Sequence, residues 1–189
     1  KLIVGKFGLE TIDVIESDIE RLYEVSGIGK KRVELIRESW EKQKDIKDVM
    51  LFLQGYGVST AYAAKIYRQY GKESIDKVKG NPYTLADDIW GIGFKTADGI
   101  ASKMGYEKND LRRCRSGLLY TLQQAAMEGN CYLPRQLLMK DTGLLLGVPD
   151  QQVEDQIDYL AMDNKLVCKN GKSVYASSFY NEECACAAM

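Results

Sequence analysis

Two short stretches hold the residues whose types and spacing could do chemistry. They are Gly27-Ile28-Gly29-Lys30-Lys31 and Gly91-Ile92-Gly93, the latter followed by Lys95 and Thr96. Glycine adopts positive φ at no steric cost, so Gly-hydrophobic-Gly makes a sharp reversal with its central apolar residue turned inward. A helix that starts straight out of such a turn leaves its first amides without an acceptor, with the positive end of its dipole behind them. Successive turn amides form a concave anion nest. A phosphate oxygen of a nucleic-acid backbone fits there without any side-chain charge. Contacts of this kind hold the sugar-phosphate chain without reading bases. A third version, Gly57-Val58-Ser59-Thr60, replaces the second glycine with serine. Its Ser59 and Thr60 are uncharged donors that equally suit plain N-caps, so this copy reads first as structural. The candidate phosphate-binding set is therefore Gly27, Ile28, Gly29, Lys30 and Lys31; Gly91, Ile92, Gly93, Lys95 and Thr96; and Gly57, Ser59 and Thr60.

The elements that must position these turns follow from an internal repeat. Phe7–Ser17 (FGLETIDVIES) aligns with Tyr70–Gly80 (YGKESIDKVKG), and Gly57–Gly71 aligns with Gly91–Gly105. Each unit reads as helix, turn, helix. Leu85, Ala86 and Ile89 precede the Gly91 turn at helical spacing, and Ala97, Ile100 and Ala101 follow it. Alanine four residues past the second glycine lets two helices cross closely. Three complete units are expected, with Leu2–Gly8 as the tail of a fourth. The start at Lys1 rather than Met adds the expectation of a piece of a longer protein.

Composition excludes several classes. There is no histidine, which removes the commonest general base and the Ser-His and Cys-His nucleophile pairs. The five cysteines form no CxxC pair, so no metal or other cofactor is expected for these residues. Scattered thiols in odd number fit a reducing, cytoplasmic location. No apolar run approaches membrane-spanning length, so no membrane partner is expected. The net charge is −1, so any grip on nucleic acid must come from local geometry rather than a basic field. The GxxxxGK[ST] phosphate loop is absent from this sequence, so these residues are expected not to hydrolyse ATP by that mechanism. A base-excising enzyme would need a poised acid, for which Asp98 and Asp87 are the nearest candidates, but both read more simply as solvated helix residues.

The second half reads as a helix over 109–129, a break at Gly129 and Pro134, and a short helix over Arg135–Leu146. Another helix follows, with Pro149 just inside its start. Two strands joined by Asn170-Gly171 then give a type I′ hairpin signal. Arg112, Arg113 and Arg115 read as solvated or salt-bridged. Three helices and a hairpin suggest a winged-helix-like domain. The helix over about 150–164 carries several acids and no lysine, which argues against insertion into a DNA groove. The expected fold is mainly α: a tandem helix-hairpin-helix bundle over 1–106, a small winged-helix-like domain with a terminal β-hairpin over 107–180, and a linker beginning at 181–189.

The three glycine turns resemble the helix-hairpin-helix motif, hydrophobic-x-Gly-hydrophobic-Gly-x-x-x-Ala-x-x-Ile. The Gly91 copy matches throughout, and the Gly27 copy has Val33 at the alanine position. With NPYTL, GIGFKTAD, EGNCYLP and YASSFYNEE in that order, the chain resembles the amino-terminal region of the longer RecD-like helicases (RecD/TraA type, exodeoxyribonuclease V alpha chain). One departure is Asn130, where that family's pattern carries histidine. The resemblance implies a region preceding a 5′-to-3′ DNA helicase motor that uses ATP and Mg2+ and acts in recombination and repair. It implies non-catalytic, sequence-independent contact with single-stranded or forked DNA. The alternative is a protein-docking or spacer module of the same helicase, with a single-strand-binding protein as partner and no direct DNA contact.

Overall fold

The computed structural model describes residues 1–187. Helix α1 (Leu2–Phe7) ends at Gly8, whose φ of 53° lets the chain reverse into a 3-10 turn and α2 (Thr11–Ser17). A second 3-10 turn (Ile19–Glu24) leads to the Gly27 hairpin and the 26-residue α3 (Lys30–Gly55). Helices α4 (Thr60–Tyr70), α5 (Ser74–Gly80), α6 (Thr84–Asp88) and α7 (Phe94–Lys103) follow.

The repeat is physical. Gly71 ends α4 at φ 57°, as Gly8 ends α1. The Ser74 hydroxyl donates to the Gly71 carbonyl at 2.6 Å, and Thr11 does the same to Gly8 at 2.7 Å. Gly29 and Gly93, the residues that open α3 and α7, have the same backbone angles, φ −96° and ψ 175°. Similar sequences have made the same turns twice.

The apolar spacing of each unit builds its own core. Phe7, Val14, Leu22, Val25 and Val33 form the first. Val49, Leu53, Val58, Ala63, Ile66, Val78, Leu85, Ile89, Ile92 and Ile100 form the second. Burying a side chain such as Leu53 or Ile66 stabilises by roughly 1.5–3 kcal/mol. Helix α3 joins the two cores. Val33 near its head lies in the first, while Val49 and Leu53 near its tail lie in the second.

The third core belongs to α8 (Leu111–Met127), α9 (Arg135–Leu146) and α10 (Asp150–Met162), with β1 (Leu133–Pro134), β2 (Leu166–Lys169) and β3 (Ser173–Ala176). The sheet is antiparallel in the order β1-β3-β2. The helix-strand-helix-helix-strand-strand order is that of a winged helix. Strand β1 was not legible in the sequence because it is two residues long and one of them is Pro134, which tolerates an edge position only. Asn170 and Gly171 both have positive φ, as a type I′ turn requires. Pro149 sits at the N-cap of α10 rather than inside it.

The expected break after residue 106 does not separate two cores. Phe94, Ala97 and Ala101 of α7 pack with Leu118, Leu138 and Ile157, while Ile100 on an adjoining flank of α7 packs with Ile66 and Leu85. The glycine-led helix α7 is thus shared between the two cores. Helix α11 (Ser177–Ala187) covers part of the expected linker 181–189; Ala188 and Met189 lie outside the described residues.

Candidate nucleic-acid interface

Gly27 (φ 84°), Gly57 (φ 76°) and Gly91 (φ 93°) all stand in the left-handed region that glycine alone adopts without strain, and all are exposed. The residue after each turns inward. Ile92 is 2% exposed and Val58 5%, whereas Ile28 is only half-buried.

The expectation for Ile28 and Ile92 needs a correction. Their amides are not available to a ligand. Ile28 N–H donates to the Val25 carbonyl and Ile92 N–H to the Ile89 carbonyl, each at 3.0 Å. The reversal is so tight that its central amide closes on the preceding residues. The donors left over sit at the helix heads. Among the described residues, the amides of Gly29, Lys30 and Lys31 meet no acceptor, nor do those of Gly93, Phe94 and Lys95. Arg32 and Thr96 are already inside the helical ladder, with their amides on the Gly29 and Gly93 carbonyls. Thr96 therefore offers its hydroxyl, not its amide. Each of the two Gly-Ile-Gly hairpins thus presents three consecutive amides on the positive end of a helix dipole.

The cations around the two nests have different origins. At the first, Lys30 and Lys31 are exposed and come from the motif itself. Arg32 is diverted, since its guanidinium donates to the Gly27 carbonyl at 2.6 Å and steadies the turn. At the third, Lys95 lies 5.9 Å from the Tyr120 ring centroid. Another charge arrives from α4. The Lys65 ammonium donates to the Trp90 carbonyl at 3.1 Å, and the Tyr62 hydroxyl donates to the Gly91 carbonyl at 2.9 Å. Helix α7 reciprocates: the Lys103 ammonium occupies the space that a Cβ on Gly57 would take. The Gly57 and Gly91 hairpins are therefore brought together, each capped by a lysine from the other's helix. The Gly27 hairpin stands apart at the far end of α3, about 39 Å away by helix rise.

At the second hairpin, Gly57 and Val58 donate their amides to Gln54 and Leu53, and the Ser59 hydroxyl accepts from Tyr62 N–H at 3.4 Å. Ser59 is thus an N-cap, and Thr60 is exposed beside it. Lys103 gives this hairpin a charge its own sequence lacks. No local motif announces Lys65 or Lys103; only the close approach of the two hairpin units places them.

The arginines that open α8 are engaged structurally. Arg112 is bridged to Asp110 at 2.7 Å. Arg113 holds Asp98 at 2.8 Å and donates to the Leu146 carbonyl, and Arg115 donates to Gln156 at 2.7 Å. Asp98 also accepts from the Tyr83 hydroxyl at 3.0 Å, so it latches α7 to α8. Burial, then the Asp98 carboxylate, pushes the Tyr83 phenol well up from its ordinary value. Asp87 is pushed up by burial, offset in part by Lys165 at 3.9 Å, and forms a surface pair across to the wing. Helix α10 carries Asp150, Glu154, Asp155 and Asp158 with no basic residue, and Arg135 of α9 is taken by Glu154 and Asp158.

Residues 42–132 match the family model described as "ATP-dependent RecD2 DNA helicase HHH domain", and residues 2–42 match "SAM-like Helix-hairpin-helix tandem". The boundary between the two falls within α3. The chain is 29% identical over 140 residues to the ATP-dependent RecD2 DNA helicase of Deinococcus radiodurans. That alignment covers 71% of this chain and 19% of the relative, so the chain spans less than a fifth of the helicase it matches.

Proposed function

We infer that the chain, whose residues 42–132 match a RecD2 helix-hairpin-helix model and residues 2–42 a helix-hairpin-helix tandem, is the DNA-holding accessory part of a longer ATP-dependent helicase. It is not itself the motor. It grips sugar-phosphate backbone without reading sequence, through the Gly29–Lys31 and Gly93–Lys95 helix heads. The single observation that carries this reading is the pair of helix-head amide triplets with no internal acceptor. ATP hydrolysis with Mg2+, 5′-to-3′ movement on single-stranded or forked DNA, a role in recombination and repair, and a cytoplasmic location all belong to this same proposal for the whole protein. The winged-helix part serves as a brace, because the acids of α10 repel phosphate and α7 is shared between the second and third cores.

A salt titration of DNA binding tests this. Weak binding is expected, with log K falling against log salt at a slope of about −1 to −3, from one to three phosphate contacts. Absence of binding at low salt to single strands, duplex and forks alike would leave the protein-docking reading in its place, with a single-strand-binding protein as the first partner to test.

A further inference from the structure

The third hairpin carries something that the first does not. Trp90, directly before Gly91, is 91% exposed. The residue at that place in the first hairpin is Ser26, and in the second it is Tyr56, half-buried and edge-on to Phe52 at 5.0 Å. An indole standing in water has an apolar face with no partner. Its backbone is nevertheless fixed. Lys65 binds the Trp90 carbonyl and Tyr62 binds the Gly91 carbonyl, and the Lys65 ammonium sits 5.5 Å from the indole centroid.

The surroundings decide what such a ring can receive. Ile89, Ile92 and Phe94 are all buried, and Gly91 and Gly93 bring no side chain, so Trp90 is a single aromatic plate rather than part of an apolar patch. A protein hot spot needs a packed pocket with a rim that excludes water. Around Trp90 there are cations instead: Lys65 against the ring, and Lys103 on the adjoining Gly57 hairpin. The nearest carboxylate in sequence, Asp88, is turned to the Tyr70 hydroxyl at 2.7 Å. An aromatic plate flanked by ammonium groups is the arrangement that holds single-stranded nucleic acid, with a base stacked on the ring and the backbone beside the charges. In duplex DNA the base faces are covered by their neighbours, so stacking requires an unpaired base.

We propose that Trp90, held by Lys65 and Tyr62, stacks an unpaired nucleobase of single-stranded DNA, making the third hairpin selective for unpaired strand. This rests on the phosphate-holding reading and adds strand selectivity to it. The test uses intrinsic tryptophan fluorescence and affinity for three ligands: an oligothymidylate of about ten nucleotides, an abasic deoxyribose-phosphate chain of equal length, and a short duplex. The oligothymidylate is expected to quench the emission and to bind more tightly than the abasic chain. Trp90→Ala should weaken oligothymidylate binding about 5- to 150-fold, the equivalent of roughly 1–3 kcal/mol of stacking, and leave duplex and abasic binding unchanged. Trp90→Phe should restore part of the affinity while losing the quench. Equal affinity of Trp90→Ala and wild type for the oligothymidylate overturns the stacking while leaving phosphate holding intact. Binding of none of the three ligands overturns both, and a protein that binds wild type but not Trp90→Ala then identifies the ring as a docking point.

Discussion

The Gly27 and Gly91 hairpins share a backbone and differ in almost everything displayed on it. Their helix-opening glycines have identical φ and ψ, their isoleucine amides close on the same relative carbonyl, and each leaves three helix-head amides without an internal acceptor. Yet the first draws its cations, Lys30 and Lys31, from its own sequence, stabilises its turn with its own Arg32, and leaves Ile28 half-exposed. The third buries Ile92, has Phe94 in the core where the first has Lys30, and takes its cation and two carbonyl anchors from α4. One motif thus gives two surfaces: a loosely supported basic turn at one end of α3, and a braced turn with an aromatic plate near the other. The glycine geometry sets where amides point, and the neighbours set what else a ligand meets.

The largest effect should come from removing the plug. Ile92→Ala is expected to destabilise by about 2–5 kcal/mol, and Ile28→Ala by roughly half as much, in chemical denaturation. Equal losses would mean that the two turns are supported alike. The next effect concerns charge. Lys30→Gln with Lys31→Gln should reduce the magnitude of the salt slope for DNA binding by up to about 2, and Lys95→Gln by about 1 at most. A larger change from Lys95→Gln would reverse the assignment of the basic turn. Tyr62→Phe removes one anchor of the third hairpin only and should cost about 1 kcal/mol, with the first hairpin's spectra unchanged.

The smallest effect is alkaline. Burial, and then the hydrogen bond to Asp88, pushes the Tyr70 phenol up from 10.0 to about 12. The folded state therefore keeps a proton that the unfolded chain gives up, so this contribution is full below pH 10 and is lost as pH rises from 10 towards 12. Stability of the second core should fall across that window, and Tyr70→Phe should flatten the fall. A steeper fall in the variant would contradict the account.

Much of this was legible in the sequence, because the motif is local. Glycine spacing and the i, i+3, i+4 apolar pattern sufficed to place the three hairpins, the helix over Arg135–Leu146 and the Asn170-Gly171 turn. What escaped was tertiary. Lys65 lies inside α4 and Lys103 is the last residue of α7, with nothing in the local sequence to mark either, and they matter because each reaches the other unit's hairpin. The closed amides of Ile28 and Ile92 follow from the tightness of the turn, which spacing alone does not report. The sharing of α7 between two cores was hidden because its apolar residues form one continuous stripe, of which Phe94 joins one core and Ile100 the other.

The most direct test of the central claim is residue-resolved. In amide 1H–15N spectra recorded at low salt during addition of DNA, the six helix-head amides of Gly29, Lys30, Lys31, Gly93, Phe94 and Lys95 should move first and furthest, while those of Ile28 and Ile92 move little. Saturable binding that leaves those six in place and shifts α10 or the β2–β3 wing instead would contradict the account.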